Sequence, residues 1–144
     1  MSSFIHDDFL LETQVAKDLY HQVAKDLPII DYHNHLSEKD IADHRTFNDL
    51  TEIWLEGDHY KWRAMRAMGV SEDFITGKAS HKEKFLAWAK TVPSTLRNPL
   101  YHWSHLELKR YFNIDELLNE VSAEKIYEEA NRQLATETHN AVSL

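Results

Sequence analysis

Apolar residues recur at intervals of three and four over most of the chain, and this spacing places them on one face of an α-helix. The first such stretch, residues 6–27, predicts an N-terminal helix that Pro28 ends. Further helices are predicted at 47–55, 58–68, 80–90, 100–111, 114–118 and 122–134. Several predicted helices follow a residue that can cap them: Ser37 with Asp40, Asp58, Ser80 with Glu83, and Asn113 with Glu116.

One segment departs from the helical pattern and is typical of a β-strand. Residues 28–35, Pro-Ile-Ile-Asp-Tyr-His-Asn-His, carry an Ile pair between Pro28 and Ser37, and no other strand is predicted. A lone strand leaves its backbone N–H and C=O groups without ladder partners, so we expect its neighbours to lie outside this sequence. The chain has 144 residues, whereas a (β/α)8 barrel takes at least about 200.

Composition and charge exclude several classes of function. The net charge is −8 and the Lys and Arg residues are scattered, which argues against nucleic-acid binding. There is no cysteine, so disulfides and thiolate metal sites are excluded, and a cytoplasmic location is expected. The N-terminus lacks the pattern of a signal peptide, and no apolar run approaches the roughly 18 residues of a membrane span. We therefore expect neither nucleic-acid nor membrane partners.

The end of the predicted strand is the sharpest candidate for chemistry. Alternate residues of a strand point to the same face, so His33 and His35 would present two imidazoles side by side. Imidazole pairs bind zinc and similar divalent ions. The alternative is chance, because the chain contains ten histidines. A third ligand stays open among His44, His59, His102, His105 and a carboxylate.

A second candidate is the string at 57–66, Gly-Asp-His-Tyr-Lys-Trp-Arg-Ala-Met-Arg. On a helix, Tyr60 and Arg63 share one face, whereas Lys61 lies on another. A tyrosine beside cations can move a proton or bind a carboxylate. Spacing alone favours the alternative, a surface helix that packs its large apolar residues inward: Trp62, Met65 and Met68.

A third candidate lies at residues 97–105, where aromatic residues alternate with histidines. His102 and His105 are three residues apart on a predicted helix, a spacing that can hold a metal ion. A packed corner in which the histidines are hydrogen-bonded is the favoured alternative.

Three strings together resemble the uronate isomerases of the amidohydrolase superfamily. They are residues 28–35, residues 50–66 with Leu-Thr-Glu-Ile-Trp-Leu and His-Tyr-Lys-Trp-Arg-Ala-Met-Arg, and Arg-Asn-Pro-Leu-Tyr-His-Trp at 97–103. The resemblance covers roughly residues 5–136. It implies an α/β parent fold, with this segment the N-terminal portion of an amidohydrolase-type (β/α)8 barrel. The segment itself is expected to be mainly helical, with one barrel strand at about 28–35.

The resemblance also implies how the chain divides. Residues 1–36 would form the N-terminal helix and the first barrel strand. Residues 37–144 would form a helical region inserted after that strand, ending before the second strand.

The same resemblance implies an isomerase of hexuronate catabolism, which interconverts D-glucuronate and D-fructuronate, or D-galacturonate and D-tagaturonate. His33 and His35 would bind a divalent metal, with zinc expected. His59, Tyr60 and Arg63 would bind substrate, and Tyr60 would also carry a proton between O1 and O2 of a cis-enediol. The base of the family is an aspartate on the last barrel strand, so this segment alone is expected to be inactive.

Two other functions stay open at this point. One is a metal-dependent amidohydrolase in which His33 and His35 activate water. The other is a non-catalytic helical fragment or module that binds a partner through exposed apolar faces. Homo-oligomerisation also stays open.

Overall fold

The computed structural model describes residues 3–30, 32–33, 37–136 and 140–141. These residues are mainly helical, with a π-helical turn at Tyr20–Ala24 and 3₁₀ turns at Glu72–Phe74 and Val92–Thr95. The α-helices among them are α1 (Gln14–Leu19), α2 (Glu38–Ala42), α3 (Leu50–Leu55), α4 (His59–Ala67), α5 (His81–Thr91), α6 (Pro99–Phe112) and α7 (Ala123–Thr136). None of the helices in the described ranges is long and apolar enough to cross a membrane.

Local capping chemistry sets where several helices begin. The Ser37 hydroxyl accepts the Asp40 amide at the start of α2. At the start of α5, the Ser80 hydroxyl accepts the Glu83 amide, and the Glu83 carboxylate accepts the Ser80 amide in return. These predicted caps are confirmed, and each satisfies amides that the helix itself leaves unpaired.

The predicted helix at 114–118 is wrong. Asn113 adopts a left-handed conformation, with φ of 52°, and ends α6 instead of starting another helix. Asparagine tolerates this conformation better than most residues, because its short side chain can bond locally. The Ile114 amide then closes the helix end on the Leu108 carbonyl, at 3.0 Å.

The hydrophobic core lies where α3, α5, α6 and α7 meet. The Trp54 and Phe85 rings stack with centroids 5.9 Å apart, and Phe85 also contacts Tyr127 at 4.8 Å. Trp88 and Leu108 are completely buried beside them. Burial of each such side chain is worth about 1.5–3 kcal/mol, so this cluster is the main source of stability in the described residues.

The N-terminal helix is shorter than predicted. It begins at Gln14, because the Thr13 hydroxyl accepts the Ala16 amide and caps the helix there. The apolar stripe of this segment is exposed: Val15, Leu19 and Val23 keep 66%, 59% and 59% of their surface accessible. Periodicity therefore predicts that this segment is helical, but it predicts neither the residue at which the helix begins nor the surface that would cover its apolar side.

The predicted strand at 28–35 is not formed in the residues described here. Residues 28–30 and 32–33 are not in a strand, and Asp31, Asn34 and His35 lie outside the described residues. Ile29, Ile30 and Tyr32 are 91%, 86% and 96% exposed. A strand needs a neighbour for its N–H and C=O groups. The described residues do contain an isolated antiparallel β-bridge, but it joins Thr46 to Asn140 and does not involve this segment.

Candidate functional site

The position of α4 is set by the aspartate that precedes it. Asp58 Oδ1 accepts the backbone amides of Tyr60 and Lys61 at 2.9 and 3.1 Å. Its other oxygen, Oδ2, binds Lys61 Nζ at 2.6 Å. The predicted cap is confirmed, and it places Tyr60 in the first turn of the helix.

Three predicted site residues come together on the outer face of α4. The His59 and Tyr60 rings lie with centroids 4.3 Å apart, at an interplanar angle of 31°. The guanidinium carbon of Arg63 lies 4.8 Å from the centroid of the Tyr60 ring. Tyr60 is 48% exposed, so one imidazole, one phenol and one guanidinium form an accessible surface.

This combination of groups suits an anionic, hydroxylated ligand. A guanidinium binds carboxylates with two parallel N–H bonds, and an imidazole adds a hydrogen-bonding site. A phenol can donate and accept at one oxygen, which proton transfer between two neighbouring oxygens requires. The cluster therefore combines groups of the kinds that anion binding and proton transfer require.

The inner face of α4 agrees only in part with the surface-helix alternative. Met65 is completely buried. Trp62 is half-buried, and its indole N–H donates to the Leu55 carbonyl at 2.8 Å. Met68, however, is 53% exposed, so its predicted inward packing is wrong. It lies at the C-cap of α4, where Gly69 turns the chain with φ of 75°.

Beneath α4 lies a charged group that periodicity does not predict. Lys61 is 8% exposed, and with Glu107 and Trp54 it lines a cavity of about 470 Å³. Burial acts to raise the pKa of Asp58, but the Lys61 charge and the hydrogen bonds from Lys61 and Tyr60 outweigh it and lower that pKa. Burial raises the pKa of Glu107, against the opposing effects of Lys61 and a Trp54 hydrogen bond. The Asp-x-x-Lys spacing is the sequence signal that could have indicated the pair.

The predicted metal ligands fall in the segment after Pro28. His33 is exposed, and His35 lies outside the described residues. Within the described ranges, no three His, Cys, Asp or Glu residues group closely enough to hold a metal ion. A complete site would therefore need ligands beyond those described, and His33 and His35 stay predicted ligands.

His105 belongs to the packed corner, as the favoured alternative predicts. It is 3% exposed. Its Nδ1–H donates to the Tyr101 carbonyl at 2.6 Å, and its Nε2 accepts the Leu118 amide at 2.9 Å. Only the neutral ring with its proton on Nδ1 makes both bonds, so neither nitrogen is left for a metal.

Sequence comparisons identify close relatives. The family model described as glucuronate isomerase matches residues 1–144. The uronate isomerase of Solibacter usitatus is 68% identical over 93% of this chain and 29% of its own length. The uronate isomerase of Bacillus licheniformis is 64% identical over 94% of this chain and 28% of its own length.

Solved structures agree with the sequence comparisons. The crystal structure of uronate isomerase from Thermotoga maritima matches with a TM-score of 0.88 and 46% identity, over 94% of this chain and 30% of the other. The structure of glucuronate isomerase from Caulobacter crescentus matches with a TM-score of 0.82 and 25% identity, over 96% and 31%. The chain thus spans less than a third of the relatives that it matches.

Proposed function

Because the chain belongs to the glucuronate isomerase family, we propose that it forms the N-terminal part of a uronate isomerase with an amidohydrolase-type (β/α)8 barrel. The enzyme interconverts an aldo- and a keto-hexuronate: D-glucuronate with D-fructuronate, or D-galacturonate with D-tagaturonate. The observation that carries the proposal is the exposed cluster of His59, Tyr60 and Arg63, whose groups suit a sugar acid. It lies in a chain 68% identical to a uronate isomerase.

The isomerisation needs two proton movements and no net change in composition. One hydrogen moves between C2 and C1, and a proton moves between O1 and O2 of the cis-enediol. Tyr60 is proposed for the second movement, because its hydroxyl can give a proton to one oxygen and accept one from the other. Because one proton is given and one is accepted, the tyrosine ends the step in its original protonation state.

Arg63 and His59 are proposed to hold the substrate in place. The guanidinium of Arg63 can bind the uronate carboxylate, and its contact with the Tyr60 ring would bring that carboxylate's sugar beside the phenol. His59, whose ring also lies against that of Tyr60, can hydrogen-bond a sugar hydroxyl. Fixing the sugar beside the proton carrier is worth much of an enzyme's rate enhancement.

A divalent metal, with zinc expected, is proposed at His33 and His35. Imidazole ligands suit zinc, and a bound ion would polarise a carbonyl or hydroxyl oxygen of the sugar. Asp31 and Asn34 are available to accept hydrogen bonds from the imidazoles and so to orient them. The remaining ligands would come from elsewhere in the enzyme.

The 144 residues alone are proposed to be inactive. In the family that the sequence resembles, the base that takes the C2 proton lies on the last barrel strand, and that strand is outside the matched segment. Exposed Ile29, Ile30 and Tyr32 would pair with the rest of the barrel. Turnover by the isolated chain would contradict this part of the proposal.

The decisive experiment replaces Tyr60 by Phe in the full-length enzyme. Loss of a proton carrier should lower kcat by about 10²-fold or more with either uronate. The matched control is Tyr20→Phe, because Tyr20 lies in the π-helical turn after α1, away from α4. A Tyr60→Phe enzyme with the unaltered rate excludes the proposed role, and an unaltered enzyme without uronate turnover excludes the proposed function.

A further inference from the structure

The side chain of Lys61 is buried, which is rare for a lysine. It is the only Lys or Arg side chain classed as buried among the residues that the structure describes, at 8% exposure. Burial of an ammonium group is costly unless opposite charges and hydrogen bonds compensate for it. A buried lysine with compensating partners is therefore a candidate for a specific role of its charge.

The partners of Lys61 come from three helices. Asp58, at the start of α4, holds its ammonium at 2.6 Å. Trp54 of α3 lies with its ring centroid 6.0 Å from the same nitrogen. Glu107 of α6 lines the same cavity as Lys61 and Trp54, and the Lys61 charge opposes the effect of burial, which raises the pKa of that carboxyl. The lysine thus joins the first turn of α4 to α3 and α6.

The two carboxylate oxygens of Asp58 connect the Lys61 ammonium group to the backbone of Tyr60. One carboxylate oxygen accepts the Tyr60 amide, and the other binds the Lys61 ammonium. Lys61 and Met65 are the residues of α4 that are buried. The Lys61 contacts, together with the bond from Trp62 to the Leu55 carbonyl, therefore hold the first turn of α4 against the rest of the chain.

We propose that Asp58, Lys61 and Glu107 form a positioning network that fixes Tyr60 in the reactive orientation. This inference rests on the proposed isomerase function. None of the three side chains needs to touch substrate, because they act on the backbone that carries Tyr60. Displacement of a reactive group by about 1 Å can cost as much as 10²-fold in rate, so a modest rotation of α4 is enough to be measurable.

The test uses charge-removing variants that keep shape, made in the full-length enzyme. Lys61→Met keeps the stem of the side chain, and the Asp58 bonds to the Tyr60 and Lys61 amides remain. Asp58→Asn keeps an oxygen for capping but removes the charge that holds the lysine. Glu107→Gln removes the carboxylate charge on the α6 side of the network and keeps a side-chain oxygen that can accept a hydrogen bond. We expect it to be the mildest of the three changes.

The matched control is Lys109→Met. Lys109 also forms a lysine–carboxylate pair, with Asp115 at 2.7 Å, but it lies on α6 away from α4. We expect each network variant to lower kcat about tenfold or more, with KM changed less than about threefold. The control should leave both unaltered. In a double-mutant cycle, Lys61→Met should add little to Asp58→Asn, because both act through one contact.

A readout that needs no activity is hydrogen exchange at the first-turn amides of α4. Lys61→Met should speed exchange at Tyr60 and Lys61 relative to amides in α7. Unaltered kcat in correctly folded Lys61→Met and Glu107→Gln enzymes overturns the inference, as does a lower melting temperature with full activity per folded molecule. Absence of uronate turnover in the unaltered enzyme rejects the proposed function, whereas the exchange result still reports on the positioning of Tyr60.

Discussion

The guanidinium of Arg63 lies over the ring of Tyr60, with 4.8 Å between its central carbon and the ring centroid. Because the two residues are three apart on α4, this contact follows from helix geometry once Asp58 has set the first turn. It places a fixed positive charge beside the phenol, on the exposed face of the helix. The first prediction follows from this pair.

Replacing Arg63 by Gln in the full-length enzyme should raise KM for uronates about tenfold or more and change kcat less. The reason is that a guanidinium–carboxylate bond contributes to substrate binding in the ground state as well as the transition state. Steady-state kinetics with D-glucuronate and D-galacturonate would measure this. Arg66→Gln is the control, because Arg66 lies on the same helix as Arg63 but pairs with Glu72 of the 3₁₀ turn that follows. Equal effects of the two changes would contradict a specific role for Arg63.

His105→Leu should destabilise the chain by about 1–3 kcal/mol, because the buried Leu118 amide loses its acceptor. Urea denaturation at pH 7.5 would measure the change in the free energy of unfolding. His102→Leu, on the same helix but less buried, is the control. A cost no larger than that of the control would show that the Leu118 bond contributes little.

His105 also predicts a pH dependence of stability. Burial lowers its pKa below the ordinary value of 6.5, outweighing the opposing effect of the bond to Tyr101. The unfolded chain therefore binds a proton more readily than the folded one, and stability should fall as the pH drops below about 6.5. It should be fully retained above that pH. The His105→Leu variant should lose this part of the dependence; an identical pH profile for both proteins would assign it to other groups.

His33→Ala and His35→Ala should each lower the metal content of the full-length enzyme, because each removes one of the proposed ligands. Elemental analysis of the purified protein by mass spectrometry would measure this. His81→Ala is the control, since His81 is exposed and paired with Asp49 at 2.7 Å. Unchanged metal content in both variants would reject the ligand assignment.

The exposed apolar stripe formed by Val15 and Leu19 of α1 and Val23 of the π-helical turn predicts opposite effects in two forms of the protein. Leu19→Lys with Val23→Lys should reduce self-association and dye binding of the isolated 144 residues, because it breaks an accessible apolar surface. In the full-length enzyme we expect the remaining segments to cover that surface, so the same pair of substitutions should lower the free energy of unfolding. Val121→Lys is the control, because Val121 is 94% exposed elsewhere. Light scattering and thermal melts distinguish the outcomes, and tolerance of both lysines in the full-length enzyme would contradict coverage of α1.

Helix starts could be predicted from sequence because capping is local. Ser80 with Glu83 is a signal only three residues long, and the structure forms both of its hydrogen bonds. Asp58 is equally local, and its bonds to the first amides of the helix place Tyr60 in the first turn of α4. The association of His59, Tyr60 and Arg63 follows from helix spacing in the same way.

Features that depend on distant residues could not be predicted in this way. The segment at 28–35 has the composition of a strand, but a strand forms only beside a neighbour, and the described residues provide none for Ile29 and Ile30. Lys61 is buried beside a cavity that it lines with Glu107, forty-six positions away along the chain. Asn113 had two local options, a helix start or a left-handed helix end, and the fold selected the second.

The core of α3, α5, α6 and α7 draws its buried cluster from residues 50–134 alone. In a longer polypeptide made from its N-terminus, these helices would leave the ribosome and could complete their packing while later segments are still being translated. The apolar residues of α1 and the adjoining segment would meanwhile stay uncovered. Synthesis would therefore pass through a stage in which a packed helical core still carries an uncovered apolar surface, which favours non-specific association.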